Sequence, residues 1–182
     1  MAPSPKTIST DRARRRGALT ATAVVGALLL GGCAMGSDAD LDGPAMSDEQ
    51  TRAQVIDPAK RLVQSVGLRL SGARYYFDAC TDQGVAPFRG NVGIGFTFPA
   101  GTDKQAYLDQ IITALQADGF ADGPPPGQQP HGRALHKGEV MAIVSAHPDI
   151  ADRGVVDIYG ECRNAGEHSE GDREDIVTEL TS

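Results

Sequence analysis

Between residues 91 and 98 bare or polar positions alternate with apolar ones: Asn91, Gly93, Gly95 and Thr97 against Val92, Ile94, Phe96 and Phe98. A period of two sends successive side chains to opposite faces, so the segment reads as a β-strand. Its four large apolar groups must meet a core. Its other face holds two glycines and is nearly bare, which lets another group pass closely over it.

The elements around this strand follow from similar signals. Ser47 with Gln50 fits a capping box, a hydroxyl N-cap answered by an amide three residues on, and starts a helix. Pro58 is poorly suited to a helix interior, so the pattern predicts a break near Ile56-Asp57. Asp57 then caps a second segment with Pro58 at its first position, carrying Leu62, Val63 and Val66 and ending near Gly67. Residues 70–80 read as a strand, with Tyr75, Phe77 and Ala79 on one face and Tyr76, Asp78 and Cys80 on the other. After Pro99, Thr102 with Gln105 makes a second capping box. Leu108, Ile111, Ile112 and Leu115 follow at helical spacing, with Gly119 just past the end and Phe120 able to fold back. Residues 123–133 are a proline-rich loop. Residues 134–136 open a hairpin with Lys137-Gly138 as its turn, and 140–146 and 155–162 are two further strands. Strands close in sequence usually pair, and tight turns make the pairing antiparallel. The economical architecture is α+β, in the order α-β-β-α-β-β-β. It has a single antiparallel sheet of about five strands with two helices packed on one face.

The N-terminal stretch carries an address. Arg12, Arg14, Arg15 and Arg16 precede an apolar run over residues 18–30, which small residues and Cys33 close. This is the three-part pattern of an export signal, and the run is shorter than the roughly 20 residues that span a bilayer. Leu30-Gly31-Gly32-Cys33 reads as a lipobox: the glycines let an extended chain enter the processing enzymes, and Cys33 supplies the thiolate that takes up lipid. Two acyl chains, at about 0.8 kcal/mol per buried methylene, make a stable anchor. Arg15-Arg16 also fits a loose twin-arginine signal beside the ordinary secretory one, and the sequence leaves both routes open. The expected organisation is a signal peptide over 1–32, lipidated Cys33 with a disordered tether over 33–46, a globular domain over 47–163 and an acidic disordered tail over 164–182. The location implied is the exported face of a cell membrane.

Charge narrows the partners. The first 32 residues hold five basic groups and one acidic group, leaving 12 basic against 23 acidic in the exported part. Phosphate-backbone binding needs clustered Lys and Arg, so nucleic acid is excluded as a partner. The 150 residues after the signal fit one domain. Glycine, 22 of 182 residues, points to many turns and short strands.

Cys80 and Cys162 remain once Cys33 is used for lipid. Both lie at strand ends in a compartment where disulfides persist, so the reading is a structural bond; no Cys-x-x-Cys redox motif is present. His131 and His136, with His147 further on, match no zinc spacing, and ordinary loop and turn histidines are the simpler reading. Ser145, His147 and Asp149 are triad-like in type but lie within five residues, without a nucleophile elbow. Asp78, Asp82, Asp157 and Glu161 are candidates to cluster on the outer sheet face, where paired carboxylates serve acid-base chemistry or calcium; a solvated acidic face is the alternative. No phosphate loop, dinucleotide glycine pattern or EF-hand is present, and no cofactor is expected.

Four stretches carry a resemblance: residues 76–84, from Tyr76-Phe77-Asp78 to Gln83-Gly84; 122–128, with Pro124-Pro125-Pro126; 136–143; and 158–164, with Gly160-Glu161-Cys162-Arg163. Over about residues 70–164, and in the signal, the chain resembles a set of lipoproteins from mycobacteria and related actinobacteria, with the acidic tail outside the resemblance. The resemblance implies an actinobacterial envelope and supports the paired cysteines. It brings no established activity, so no catalytic residue is carried over. The functional expectation is a non-catalytic envelope module that binds a protein or another envelope component, with Asp78, Asp157, Glu161, His131 and His136 as candidate binding residues. The alternatives are an envelope hydrolase or metal-dependent enzyme, or a carrier of an apolar ligand.

Overall fold

The computed structural model describes residues 42–169 and 171–182; the expected export signal, Cys33 and most of the expected tether lie outside the described residues. The fold is α+β. One antiparallel sheet of seven strands is covered on one face by helices, in the order β3-β4-β5-β6-β2-β1-β7.

Helix α1 (Asp48–Val66) starts as expected: the Ser47 hydroxyl accepts from the Gln50 N–H, and the Gln50 side chain accepts from the Ser47 N–H. It does not break at Pro58. Val55, Ile56, Pro58, Ala59, Leu62 and Val63 form one continuous buried face, and that burial outweighs the hydrogen bond the proline ring removes. Gly67 ends the helix with φ near +70°, a conformation that favours glycine.

Strands β1 (Leu70–Ala79) and β2 (Phe88–Thr97) pair along their lengths. Phe88, Val92, Ile94 and Phe96 of β2 are buried under the helices. Helix α2 (Lys104–Ala117) is capped one residue later than the sequence suggested. Asp103, not Thr102, accepts from the Ala106 N–H at 2.8 Å, because a carboxylate caps at least as well as a hydroxyl and sits in register with the first turn. At the other end Gly119 has φ near +95° and the Phe120 N–H reaches the Leu115 carbonyl, folding Phe120 back into the core.

Two short strands were not anticipated. β3 (Ala121–Asp122) pairs with β4 (Arg133–Lys137), and β7 (Glu174–Asp175) pairs with β1. β4 turns into β5 (Val140–Ala146) through Gly138 at φ near +62°, and β6 (Arg153–Tyr159) fits between β5 and β2.

The acidic C-terminal residues are a correction to the expected disorder. After β7, Ile176 and the short helix α3 (Val177–Thr181) close the edge between α1 and β1, with Ile176 and Leu180 fully buried. Arg52 on α1 holds Glu174 at 2.7 Å. Two buried apolar side chains and partnered carboxylates suffice to order a segment whose composition alone suggests none.

Cys80 and Cys162 are bonded to each other. Beside the bond, Phe88 and Asn164 exchange backbone hydrogen bonds of 2.7 and 3.0 Å. The buried Asn164 amide donates to Asp48 at the start of α1. The end of β1, the segment after β6 and the start of α1 therefore meet at one polar junction.

Candidate functional site

The helices leave the other sheet face open, and the ladder registers place its residues in three transverse rows. Asn91 lies between Tyr76 on β1 and Tyr159 on β6. Gly93 lies between Arg74 and Asp157, and Gly95 between Gly72 and Val155. The outward positions 91, 93 and 95 of β2 form the midline of this face.

The first row is aromatic and closely packed. Asn91 is 0% exposed, and neither its Oδ1 nor its Nδ2 has a hydrogen-bond partner among the described residues. Its amide lies near enough to the Tyr159 hydroxyl to draw that group's pKa down, yet the two do not meet hydrogen-bond geometry. Burial dominates and raises the pKa of Tyr159, with Asp157 adding to the rise; Tyr76 is raised by burial first and then by Asp78. The Arg89 guanidinium bonds Asp78 at 2.7 Å and lies 4.8 Å from the Tyr159 ring centre; Arg173 lies 5.1 Å from the Tyr76 ring centre. Asp157 has no ion-pair partner among the described residues, and burial pushes its carboxyl above the usual range.

The other two rows floor a trough of about 310 Å³. Gly72, Gly93 and Gly95 keep the floor low. Ser71 sits over it, its hydroxyl 2.9 Å from where a Cβ on Gly95 would lie. Arg74, His147 and Arg153 line the rim. The Nδ1 of His147 accepts from the backbone N–H groups of Asp149 and Ile150, at 3.1 and 3.2 Å. That arrangement puts the ring proton on Nε2, which becomes a donor.

The residues singled out in sequence fall in different places. Asp78 and Asp157 share the open face. Asp82 is in the exposed loop after β1, and Glu161 lies past β6 beside α1, paired with Arg163 at 2.6 Å, so these four carboxylates form no cluster. His131 is exposed in the loop before β4. His136 donates from Nδ1 to the Gly123 carbonyl at 2.9 Å, at the far end of the Asn91 row. Among the described residues no group of three or more His, Cys, Asp or Glu is placed to hold a metal ion. Ser145, His147 and Asp149 do not assemble as a relay, since the Nδ1 of His147 is occupied by its own turn. Sequence reading passed over Asn91, Arg74 and Arg153. The bare face of β2 was the one signal available; which charged residues flank it depends on strand order.

The family described as "Putative lipoprotein LppJ" matches residues 47–180, reaching into the C-terminal segment that the sequence reading set apart. The chain is 38% identical over 173 residues to proteins of that same name from Mycobacterium tuberculosis and Mycobacterium bovis, covering 90% of this chain and 90% of each relative. The chain belongs to the LppJ lipoprotein family. No solved structure matches it. Among the described residues no helix is long and apolar enough to cross a membrane.

Proposed function

We propose that this LppJ-family chain is a non-catalytic binding module, held by lipid on Cys33 at the exported face of the cell membrane, whose open sheet face receives an envelope component. The observation that carries the reading is the asymmetry of the sheet. One face is covered by α1, α2 and α3, while the other keeps a trough of about 310 Å³ rimmed by Arg74, His147 and Arg153. The interior suits a carrier of apolar cargo poorly, because Ile94, Phe96, Ile111 and Leu115 fill the space between sheet and helices.

The lipid-anchor half is tested by mass spectrometry of the full-length protein and by Cys33→Ser. Loss of the acyl mass in Cys33→Ser is expected; a wild-type protein without acyl mass, or acyl mass retained in Cys33→Ser, would count against it. The binding half is tested by native mass spectrometry of full-length protein extracted in mild detergent. A component at fixed stoichiometry, lost on Gly72→Val, supports the reading, and a ligand-free protein from intact membranes overturns it.

A further inference from the structure

We propose that the trough on the open sheet face binds a phosphate group, and that Arg74, Arg153, Ser71 and the Nε2 of His147 hold its oxygens. The proposal deepens the binding-module reading and rests on it.

The arginines are the first argument. Arg52, Arg61, Arg89, Arg133 and Arg163 each lie within ion-pair distance of a carboxylate. That pattern is expected where 23 acidic groups face 12 basic ones after the export signal. Arg74 and Arg153 break it: both are exposed, both line the trough, and neither is paired with a carboxylate among the described residues. Two further arginines have no carboxylate partner among the described residues: Arg69, at the same end, whose carbonyl accepts from Thr97 opposite Arg153, and Arg173, which instead lies over the Tyr76 ring away from the trough. Two unneutralised guanidiniums on the rim of one cavity of an acidic protein point to an anion.

The donor set selects the anion. A guanidinium presents a planar fork that fits two oxygens, so one arginine satisfies a carboxylate. Here two forks, the Ser71 hydroxyl and an Nε2–H fixed by the turn at His147 stand around the same trough. That many donors suits a group with three or four oxygens. The glycines supply room rather than donors, since those of β2 sit in a paired ladder on both sides. Two carboxylates oppose the ligand: Asp157, whose Oδ1 lies 3.2 Å from where a Gly93 Cβ would be and whose ionised form burial disfavours, and Asp175, opposite Arg74 in the ladder, whose Oδ1 is engaged by the Val177 N–H.

Gly72 makes the test clean. A Cβ there meets nothing within 4 Å and its φ is not left-handed, so Gly72→Val fills the trough without straining the backbone. Full-length protein in detergent is titrated calorimetrically with inorganic phosphate, glycerol 3-phosphate and, as control, acetate. The full-length Cys33→Ser protein is sedimented with phosphatidylcholine vesicles with and without phosphatidic acid. Phosphate binding is expected to weaken about tenfold or more in Arg74→Gln and in Arg153→Gln, and to vanish in Gly72→Val with the melting temperature retained. Asp157→Asn is expected to tighten it. Binding of the soluble phosphates identifies a free phosphate ligand; sedimentation with phosphatidic acid alone, lost in the same variants, identifies a lipid headgroup. The proposal falls if neither arm binds, if acetate binds as well as phosphate, or if binding survives Gly72→Val. Should Gly72→Val abolish capture of a natural component while no phosphate binds, the binding face stands and the phosphate assignment alone fails.

Discussion

Gly154 on β6 faces the ring of Phe96 on β2, its partner in the ladder, so closely that a Cβ on Gly154 would lie 2.1 Å from Phe96 Cζ. Phe96 is fully buried and touches Phe98 and Tyr107, with ring centres 5.3 and 5.9 Å away. The glycine is there for space, since its φ is not left-handed.

Gly154→Ala is therefore expected to destabilise by overpacking, by about 1–3 kcal/mol or somewhat more. Combining it with Phe96→Leu should recover part of the loss, because the smaller side chain vacates the contested volume. Denaturant melts of the two single variants and the double variant measure this. Purely additive losses would show that the ring does not set the cost.

Asp157 carries a pH signature. Burial raises its carboxyl pKa in the folded state, so the proton is bound more tightly there than in the unfolded chain. Its contribution is fully present below the ordinary carboxylate range and is lost as pH rises through the raised value. Asp157→Asn is thus expected to be the more stable protein at neutral pH, with the difference shrinking as pH falls. Melting temperatures of both proteins from acid to neutral pH check the sign; an Asn variant less stable at neutral pH would refute it.

Elements with several repeats of their period were legible in the sequence. The alternation over residues 91–98 and the helical spacing of Leu108, Ile111, Ile112 and Leu115 located β2 and α2, and Gly119-Phe120 marked the stop. β3 and β7 are two residues each, too short to express a period. Pro58 misled because a local penalty was weighed without the buried stripe on both sides of it. The open face was half legible. Gly93 and Gly95 announced a bare surface, but Arg74 and Arg153 reach it from strands 79 residues apart in the chain, a proximity set by the order β6-β2-β1. That Asn91 lacks a partner has no signature in sequence at all.

The C-terminal segment offers a third test. Leu180 is fully buried and α3 packs on α1 and β1, so Leu180→Ala should cost about 2–5 kcal/mol. Removing residues 171–182 should cost more, since Ile176 goes as well and Arg52 loses Glu174 and Glu179. Hydrogen exchange provides the local readout. Amides of α1 facing α3 are expected to lose protection while those of β5 keep theirs, and equal protection throughout would return the segment to a solvated tail.

The last prediction concerns the bond between Cys80 and Cys162, separated by 82 residues. Closing so long a loop restricts the unfolded chain, and the chain-entropy relation puts the stabilisation at about 4–5 kcal/mol as an upper figure. The native neighbourhood does not depend on the bond alone. The Cys80 N–H donates to the Pro87 carbonyl, the adjacent Phe88 and Asn164 exchange paired backbone hydrogen bonds, and the Cys162 N–H donates to Asp42 at 2.8 Å. The Cys80→Ser, Cys162→Ser double variant is therefore expected to fold to the same structure with a lower denaturation midpoint, and the oxidised wild type should fall to that midpoint when reductant is added. Because the effect acts on the unfolded state, it should appear mainly as a faster return of the oxidised chain to the native state wherever that contact forms early in folding. A midpoint unmoved by reduction would mean that the hydrogen-bonded junction around Asn164 suffices and that the cysteines are not a staple.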